Sequence, residues 1–362
     1  MHKKKKQKQQ RQLILPLACI ILLLLSAACF GAWQWLSNLL DSQKEAERWQ
    51  GDGEMPFSQI SCFLPADKQI GLREVADFRN AAMAKLKEAS LDISGDQQLM
   101  LDSWSTSGKV YTSGEHGRGE ASVIAVGGSY FDFHPLRLLN GDYIRQSDLM
   151  HDRILLGEDV AWLLFGGTNL QGMTMKLNGI PFVVAGVVQQ EQDFASKKAD
   201  SSEMDLYMSY DALLQLDENT KINCYEFVMA DPVKNFALNV AREKFPIGRG
   251  EIICNTTRYN YGKMMDLMLK YGSRGAQTSG AVLPYWENAA RMTEDWGSLA
   301  CLWGTVFLIF PVVVGTVWLV RSSKHFKQRF EDDYWPTMKE RTEEAVRVRQ
   351  RKRWERKHQE NE

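Results

Sequence analysis

The chain has 362 residues, of which 44 are Lys or Arg and 45 are Asp or Glu, so its formal net charge at pH 7 is −1. This balance argues against nucleic acid as a partner, which calls for a clear excess of basic residues. It also conceals an uneven distribution of charge along the chain, because the basic residues concentrate near the two ends.

Two apolar runs decide the overall class of the protein. Residues 13–36 read LILPLACIILLLLSAACFGAWQWL and residues 299–320 read LACLWGTVFLIFPVVVGTVWLV, with no charged side chain in either run. Each run is long enough to cross a hydrocarbon core of about 30 Å as a helix that rises about 1.5 Å per residue. We therefore predict two transmembrane helices that flank an extracytoplasmic domain over residues 37–298.

The charges beside the runs predict the orientation. Residues 1–12 contain several basic residues and no acid, residues 321–362 end in a basic stretch, and the central segment is acidic overall. Because basic residues are retained on the cytoplasmic side, we expect a two-pass protein of the cell membrane with both termini in the cytoplasm. The alternative for the first run is a signal peptide, since LLLLSAAC resembles a lipoprotein cleavage site, although apolar sequence continues to Leu36.

The sequence shows no active site. It contains no GxxxxGK[ST] phosphate loop, no HExxH motif and no Ser-His-Asp order, so we expect no catalysis, cofactor or metal. Cys62, Cys224 and Cys254 lie outside the apolar runs, and their odd number and wide spacing predict either small buried residues or a single disulfide pair.

The first part of the central segment predicts a stalk, strands and a helix. Residues 37–50 are polar, so we expect the first membrane helix to continue through them. Residues 57–64 predict a strand, and residues 99–104 and 122–126 predict two more, separated by a flexible glycine-rich loop. Residues 71–90 predict an amphipathic helix on a sheet. Its apolar positions at helical spacing are Leu72, Val75, Phe78, Met83 and Leu86.

Residues 121–188 carry the most specific pattern. Residues 154–156 predict a short strand, and EDVAWLLFG after it predicts a helical turn that closes at Gly166. Residues 173–177 and 181–187 predict two strands joined by Asn178-Gly179, the strongest two-residue signal for a hairpin.

The last part of the segment predicts a second strand–helix–strand unit. Residues 222–229 and 251–254 predict strands, and residues 231–245 predict a helix with Val233, Phe236, Val240 and Phe245 on one face. Two such units around an insertion predict a ferredoxin-like layer. Further helices are expected over residues 259–271 and 284–296, the latter as a stalk into the second membrane helix.

A string of small and aromatic residues runs through the same segment. It comprises Val126-Gly127, Tyr130-Phe131, Gly141-Asp142, Asp148, Leu156-Gly157, Ala161, Leu164-Phe165-Gly166, Gly172, Gly179, Pro181-Phe182 and the stretch Val184 to Val188, which includes Gly186. This string resembles the periplasmic core domain of the MacB/FtsX family of ABC transporter permeases. The resemblance gives structural roles to Gly127, Gly141, Gly157, Phe165, Gly166, Gly172, Gly179, Pro181, Phe182 and Gly186.

The resemblance implies an α+β fold, in which a membrane-anchored ectodomain combines a ferredoxin-like strand–helix–strand layer with an inserted β-rich lobe between two transmembrane helices. It also implies a permease-like subunit of an ABC transporter or mechanotransmission complex, with a separate ABC ATPase and a second permease subunit as partners. Family members usually have at least four membrane helices, whereas this sequence has two. Small residues such as Gly304 and Gly315 are the positions expected to pack against other helices.

The segment after the second apolar run takes the place where family members contact the ATPase. Its aromatic residues, proposed for partner docking, are Phe326, Phe330, Tyr334 and Trp335. The alternative is a solvated charged tail near anionic lipid. For the whole chain, the alternative function is a two-helix membrane receptor or scaffold whose ectodomain binds a ligand or cell-envelope partner without ATP coupling.

The topology can be tested by labelling single introduced cysteines in intact cells. An impermeant maleimide should modify Ser113→Cys, because we expect this position outside, and should spare Gln9→Cys and Gln359→Cys until the cells are opened. The unsubstituted protein gives the background from its native cysteines. External labelling at either terminus would contradict the orientation.

Overall fold

A computed structural model of the chain describes residues 2–89, 98–145, 147–189, 191–199, 205–270, 283–329 and 335–359. The chain divides into two compact units, one formed by Gly31–Leu302 and the other by Met1–Phe30 together with Trp303–Glu362.

The strands are β1 (Phe57–Phe63), β2 (Met100–Ser113), β3 (Arg118–Gly128), β4 (Arg137–Gly141), β5 (Arg153–Gly157), β6 (Thr174–Leu177), β7 (Ile180–Gln189), β8 (Asp205–Ser209), β9 (Cys224–Ala230) and β10 (Glu251–Cys254). The helices are α1 (His2–Ser37), α2 (Glu45–Gln50), α3 (Leu72–Glu88), α4 (Tyr130–Phe133), α5 (Glu158–Phe165), α6 (Phe194–Ala199), α7 (Tyr210–Leu216), α8 (Phe236–Lys244), α9 (Tyr261–Leu269), α10 (Tyr285–Arg329) and α11 (Trp335–Gln359). A 3-10 turn spans Asp41–Gln43.

The ferredoxin-like layer is confirmed. Its strands lie in the order β10-β1-β9-β2, and each neighbouring pair is antiparallel. Helix α3 connects β1 to the parallel strand β2, and α8 connects β9 to the parallel strand β10. The layer is therefore two interleaved strand–helix–strand units, which need a helical crossover because their strands are parallel.

The layer's core forms where α3 and α8 pack on the sheet. Helix α3 buries Val75, Phe78, Ala82 and Leu86, which recur every three or four residues and so share one face. The Phe78 ring lies 5.2 Å from the Phe227 ring, and burial of such a side chain contributes about 1.5–3 kcal/mol. Leu72, which we assigned to this face, is exposed instead.

The inserted β-rich lobe is also confirmed, and it belongs to the same sheet as the layer. The strand order continues from β2 as β3-β8-β5-β7-β4, and β6 pairs with β2 and β7. Strand β2 serves both parts, because Met100 to Ser105 pair with β9 while Thr112 and Ser113 pair with β6. The lobe and the layer therefore share a backbone hydrogen-bond network.

The stalk predicted over residues 37–50 is wrong. Helix α1 ends at Ser37, and the 3-10 turn and α2 follow as separate elements. The side chains of Ser37 and Asn38 both donate to the carbonyl oxygen of Gln34, at 2.9 and 2.8 Å. Such side chains favour the end of a helix, because their hydrogen bonds to its carbonyl oxygens compete with the backbone bonds that would continue it.

The glycine-rich loop is a packed turn, so the prediction of a flexible loop is wrong. The two strands that flank it are much longer than predicted, and Gly114 N donates to Gly117 O at 2.9 Å between them. His116 N donates to Leu164 O at 2.9 Å. A Cβ on Gly114 would lie 2.8 Å from Leu164 O, which explains the need for glycine.

Helix α8 starts later than predicted. We expected it from Asp231, but it begins at Phe236, and Val233 is exposed rather than on the buried face. Pro232 disfavours helical geometry at the residue before it. Asn235 then has a left-handed φ of 66°, and the carboxylate of Asp231 accepts from Ala237 N at 3.0 Å.

The Asn178-Gly179 hairpin is confirmed. Both residues have positive φ, 48° and 88°, as a type I′ turn requires, and Leu177 pairs with Ile180 across it. Asn178 Oδ1 also accepts from Tyr111 N at 2.9 Å. The turn therefore both joins β6 to β7 and docks on the end of β2.

Two described helices contain segments long and apolar enough to cross a membrane. These segments are Ile14–Ser37 and Tyr285–Lys324, whose 18-residue apolar windows have mean hydropathies of 2.6 and 2.1. In the unit of Met1–Phe30 and Trp303–Glu362, Ser26 Oγ donates to Gly304 O at 2.8 Å. A Cβ on Gly304 would lie 3.2 Å from the Phe30 ring, whereas one on Gly315 would meet nothing within 4 Å. Gly304, one of the two glycines expected to pack against other helices, therefore packs against α1 of the same chain.

Strands β4 and β7 approach each other closely at two glycines. Gly141 pairs with Gly186, and a Cβ on Gly141 would overlap the carbonyl oxygen of Ala185. Gly141 also has a φ of +80°, which L side chains rarely adopt.

The Gly141→Ala variant should lose at least about 2 kcal/mol of unfolding free energy, because steric overlap adds to backbone strain. Gly179→Ala should lose about 1 kcal/mol, since its φ is +88° but its surroundings are open. Gly167→Ala is the control, with ordinary φ and open space, and should change little. Urea unfolding of the ectodomain measures all three. Equal losses at Gly141 and Gly167 would contradict this close approach.

Candidate functional site

A buried guanidinium joins three segments of the unit Gly31–Leu302. Arg258 is 2% exposed and lies in the loop after β10. It donates to the two carboxylate oxygens of Glu287, at 2.7 and 2.8 Å, and to Gln43 Oε1 at 3.3 Å. Because Glu287 belongs to α10 and Gln43 to the 3-10 turn, Arg258 connects both segments to the sheet.

Further charges on the same face of α10 extend this contact. Arg258 Nε lies 2.9 Å from Glu294, and Arg291 donates to Glu287 at 2.8 Å and also to Glu251 of β10. We call Arg258, Glu287, Arg291 and Glu294 the Arg258 cluster. Burial by itself would lower the pKa of Arg258, but Glu287 and Glu294 raise it well above its usual value. The guanidinium of Arg258 therefore stays charged at physiological pH.

Strand β1 holds the segment that follows α1. The Gln59 side chain is fully buried, accepts from Glu45 N at 3.0 Å and donates to Ser42 O at 2.7 Å. Gln59 N donates to Thr256 Oγ1 at 2.8 Å. The start of α2, the 3-10 turn and the loop after β10 are thus bound to one residue of the sheet.

The beginning of α10 also packs on the lobe. Trp286 is 3% exposed, and its ring lies 4.5 Å from the His134 ring and 5.9 Å from the Tyr130 ring. Tyr285 and Tyr207 of β8 bring their hydroxyls within 3.5 Å of each other. Burial raises the pKa values of Tyr130 and Tyr285, so both remain neutral. Tyr130 of the sequence motif therefore contacts the helix that continues into the second apolar run.

A polar chain crosses the sheet beneath these rings. His134 Nε2 lies 2.6 Å from the carboxylate of Glu226, Ser61 Oγ donates to Glu226 at 2.7 Å, and Asn255 Nδ2 donates to Ser61 Oγ at 2.8 Å. These four residues are at most 3% exposed, which favours hydrogen bonding because unpaired polar groups are costly inside a protein. Burial and the Glu226 charge raise the pKa values of Cys62 and Cys224, which are free thiols.

The predicted motif positions lie at turns, strand ends and close approaches. Gly157 and Gly166 flank α5, and Gly166 ends it in the left-handed conformation at φ 74°. Gly172 has a φ of 83°, and its N–H donates to Val184 O at 2.8 Å. Gly127 lies directly against the Trp104 ring. Phe165 and Phe182 are buried, and Pro181 pairs with Lys176 in the hairpin.

The four residues proposed for docking lie far along the chain from these contacts. Phe326 is in α10, Trp335 begins α11 and is 60% exposed, and Phe330 and Tyr334 lie outside the described residues. Their docking role stays a prediction.

Residues 72–240 match the family model described as the MacB-like periplasmic core domain. This part of the chain is therefore similar to the MacB-like periplasmic core domain. The matched range runs from α3 into α8 and includes every motif glycine, whereas the Arg258 cluster lies beyond its end.

Two solved structures are similar to this chain. One is the periplasmic region of MacB from Actinobacillus actinomycetemcomitans, with 19% identity over 55% of this chain and 89% of that chain and a TM-score of 0.37. The other is the extracellular domain of YknZ, a noncanonic ABC-type transporter from Gram-positive bacteria, with 15% identity over 52% and 92% and a TM-score of 0.33. No curated protein matches the sequence significantly.

The family consists of permease-type membrane components of ABC transporters, and the MacB-like core domain lies between two candidate membrane helices. The protein is accordingly a membrane protein with an extracytoplasmic central domain. Among the described residues, no group of three or more His, Cys, Asp or Glu side chains could hold a metal ion.

Sequence reasoning missed the Arg258 cluster. A signal was present, because Glu287, Arg291 and Glu294 recur at the four- and three-residue spacing of one helix face. That face belongs to the predicted stalk. Without a known partner, its charged residues predict a face exposed to solvent. Arg258 lies 29 residues from Glu287 and 215 from Gln43, and no local pattern connects residues so far apart.

Removal of Arg258 should show how strongly α10 is held. Arg258→Met removes the guanidinium from the buried carboxylate of Glu287, which keeps only Arg291, and from the partly buried carboxylate of Glu294, so we expect a loss of about 3 kcal/mol in unfolding free energy. Adding Glu287→Gln should recover part of that loss. The control is Arg79→Met, since Arg79 pairs with Asp102 at 2.9 Å at the surface, where about 1 kcal/mol or less is expected. A similar loss for both single variants would contradict the role of the cluster.

Proposed function

We propose that the chain is a permease-like membrane subunit that couples its MacB-like core domain to a separate ABC ATPase, together with a second permease subunit. In this arrangement both termini are cytoplasmic. The ATPase changes shape as it binds and hydrolyses ATP, and the membrane helices carry that displacement to the extracytoplasmic domain.

The contact between α10 and the sheet is the observation that carries this proposal. The first residues of α10 pack on the lobe through Trp286 and bind the loop after β10 through Glu287. Both contacts are buried, so the start of the helix moves only if the sheet moves with it. The same helix contains the candidate span Tyr285–Lys324, which favours mechanical coupling over a flexible tether.

The shared sheet supports the same function. Because β2 pairs with strands of the layer and of the lobe, a force applied at the layer reaches the lobe through backbone hydrogen bonds. The two parts of the ectodomain should therefore respond to the membrane helices as one body.

The cytoplasmic segment supplies the proposed docking surface. Helix α11 places Trp335 and Met338 in solvent, at 60% and 56% exposure, among many charged residues. An exposed tryptophan beside a charged helix is typical of a binding surface, since tryptophan is enriched at interaction hot spots. The second permease subunit would pack on the apolar surface around Gly315, where a Cβ would have open space.

Co-purification with the ATPase tests the proposal. Trp335→Ala in the full chain should lower the amount of ATPase retained after mild detergent extraction by at least about fivefold, which corresponds to about 1 kcal/mol. Deletion of residues 326–357 should abolish retention. Val348→Ala is the matched control, because it removes an exposed apolar side chain from the same helix far from Trp335, and it should retain the ATPase.

The result also separates the two candidate functions. A receptor or scaffold without ATP coupling predicts that no ATPase co-purifies with the full chain, and that outcome would overturn the proposal. If the deletion variant keeps its ATPase, the docking site lies outside residues 326–357. If the amount of ATPase retained decreases as the anionic lipid content of the bilayer is lowered, α11 is a membrane-surface helix.

A further inference from the structure

Helix α9 lies against both of the helices that contain the candidate spans. At its start, the ring of Tyr261 meets the ring of Trp33 in α1 edge to face, with centroids 6.3 Å apart. Near its end, Met268 Sδ lies 3.3 Å from the hydroxyl oxygen of Ser298 in α10. All four residues belong to the unit Gly31–Leu302. The helix therefore reaches from α1 to α10.

These two contacts lie at the level where the apolar runs end. Trp33 is three residues before the end of the first run at Leu36, and Ser298 directly precedes the second run, which begins at Leu299. A helix rises about 1.5 Å per residue, so both contacts lie within about 5 Å of the ends of the runs. The headgroup layer adds about 5–8 Å on each side of the hydrocarbon core. Because both ends of α9 are held at this level, its axis runs along the bilayer surface rather than across it.

One face of α9 packs on these two helices. Met264 is 1% exposed, and its sulfur would lie 3.9 Å from a Cβ placed on Gly297 of α10. Tyr261, Met264 and Met268 are three and four residues apart, so they share this packed face. The positions of all other residues of α9 are fixed relative to it, because each residue of a helix is rotated about 100° from the one before.

The two residues beside Met268 point to opposite sides of the packed face. Leu267 lines a cavity of about 410 Å³ together with Leu238 of α8 and Ile252 of β10, so its side of α9 is directed toward the sheet. Leu269 is rotated about 100° from Met268 in the other direction, so its side is directed away from the sheet. The Leu269 side chain is 84% exposed. An exposed leucine thus lies at the level of the bilayer surface, on the side opposite the ectodomain sheet.

The remaining face of α9 is charged. Lys263, Asp266 and Lys270 are exposed and again lie three and four residues apart. Lys270 Nζ donates to the Asp266 carboxylate at 2.8 Å, and Lys263 Nζ donates to Thr257 Oγ1 at 2.6 Å. Lysine keeps its charge among water and headgroups while its stem lies along apolar surface. A helix with separate apolar and charged faces, lying along the bilayer surface, is typical of an interfacial helix.

We propose that α9 is an interfacial helix whose Leu269 side inserts into the extracytoplasmic leaflet, at the boundary between the lipid headgroups and the acyl chains. The partner of this surface is the lipid bilayer. The two spans determine the level of α9, so lipid surrounds the side that Leu269 occupies. The ectodomain then touches the membrane at a third place besides the two spans, and this contact does not depend on an ATPase.

Spin labels on the full chain in phospholipid nanodiscs test this placement. A nitroxide is attached to Leu269→Cys or to the matched control Leu149→Cys, which replaces a leucine that is 88% exposed in the segment before β5. Power saturation compares collisions with oxygen, which concentrates among acyl chains, and with a water-soluble nickel chelate. The ratio of oxygen to nickel collisions should be at least about fivefold higher at position 269 than at position 149. The unsubstituted protein gives the background from its native cysteines.

A label on the charged face of the same helix tests its orientation. Lys263→Cys should give a lower ratio than Leu269→Cys, because its side chain lies on the charged face among headgroups and water. The same ratio at positions 263 and 269 would contradict the orientation, and the same ratio at positions 269 and 149 would overturn the proposal. Few collisions with either reagent at position 269 would also overturn it, because they would show that protein covers the Leu269 side in place of lipid.

Discussion

The charge on Arg258 constrains everything packed around it. A guanidinium cannot be neutralised at physiological pH, and at 2% exposure it cannot reach bulk water, so carboxylates have to be brought to it. Those carboxylates lie on α10, and Gln43, which also contacts the guanidinium, lies just after α1. The two ends of the ectodomain are thereby held at one edge of the sheet. Apolar packing alone would hold these segments less specifically, because it is not directional.

Much of the fold could be predicted from local pattern. The buried face of α3 follows from helical spacing around Phe78, and the Asn178 turn follows from the positive φ that its two residues tolerate. The prediction failed where long-range partners decide the structure. Strand β2 looked like a six-residue strand because its second half, GKVYTS, is mostly polar, and its pairing with β3 and β6 keeps it extended. Strand β8, in the middle of the sheet, was not predicted at all, because DLYMS contains no β-branched residue and has a polar residue at each end.

The candidate site also has one part that could be predicted from the sequence and another that could not. The motif glycines were singled out by the family resemblance, and they lie where turns and close approaches demand glycine, as at Gly141 and Gly166. The polar chain from His134 to Asn255 was not, because its members come from the residue after α4, from β9, from β1 and from the loop after β10. No spacing rule relates such residues. Buried polar residues become visible only when tertiary structure places each beside the partner that compensates its loss of water.

The hydrogen bond between Ser26 and Gly304 has a consequence for the kind of motion that the membrane helices can make. It joins α1 to α10 in a segment of low dielectric constant, where no water can replace the lost partner, and such bonds contribute about 0.6–2 kcal/mol. The Phe30 ring against Gly304 leaves little space for either helix to slide along the other. Axial slippage of one helix past its neighbour is therefore disfavoured, whereas a common tilt or a joint vertical shift keeps both contacts. A pair of helices joined in this way transmits force as one rigid unit. The displacement that it can transmit is set by how far the two helices move together.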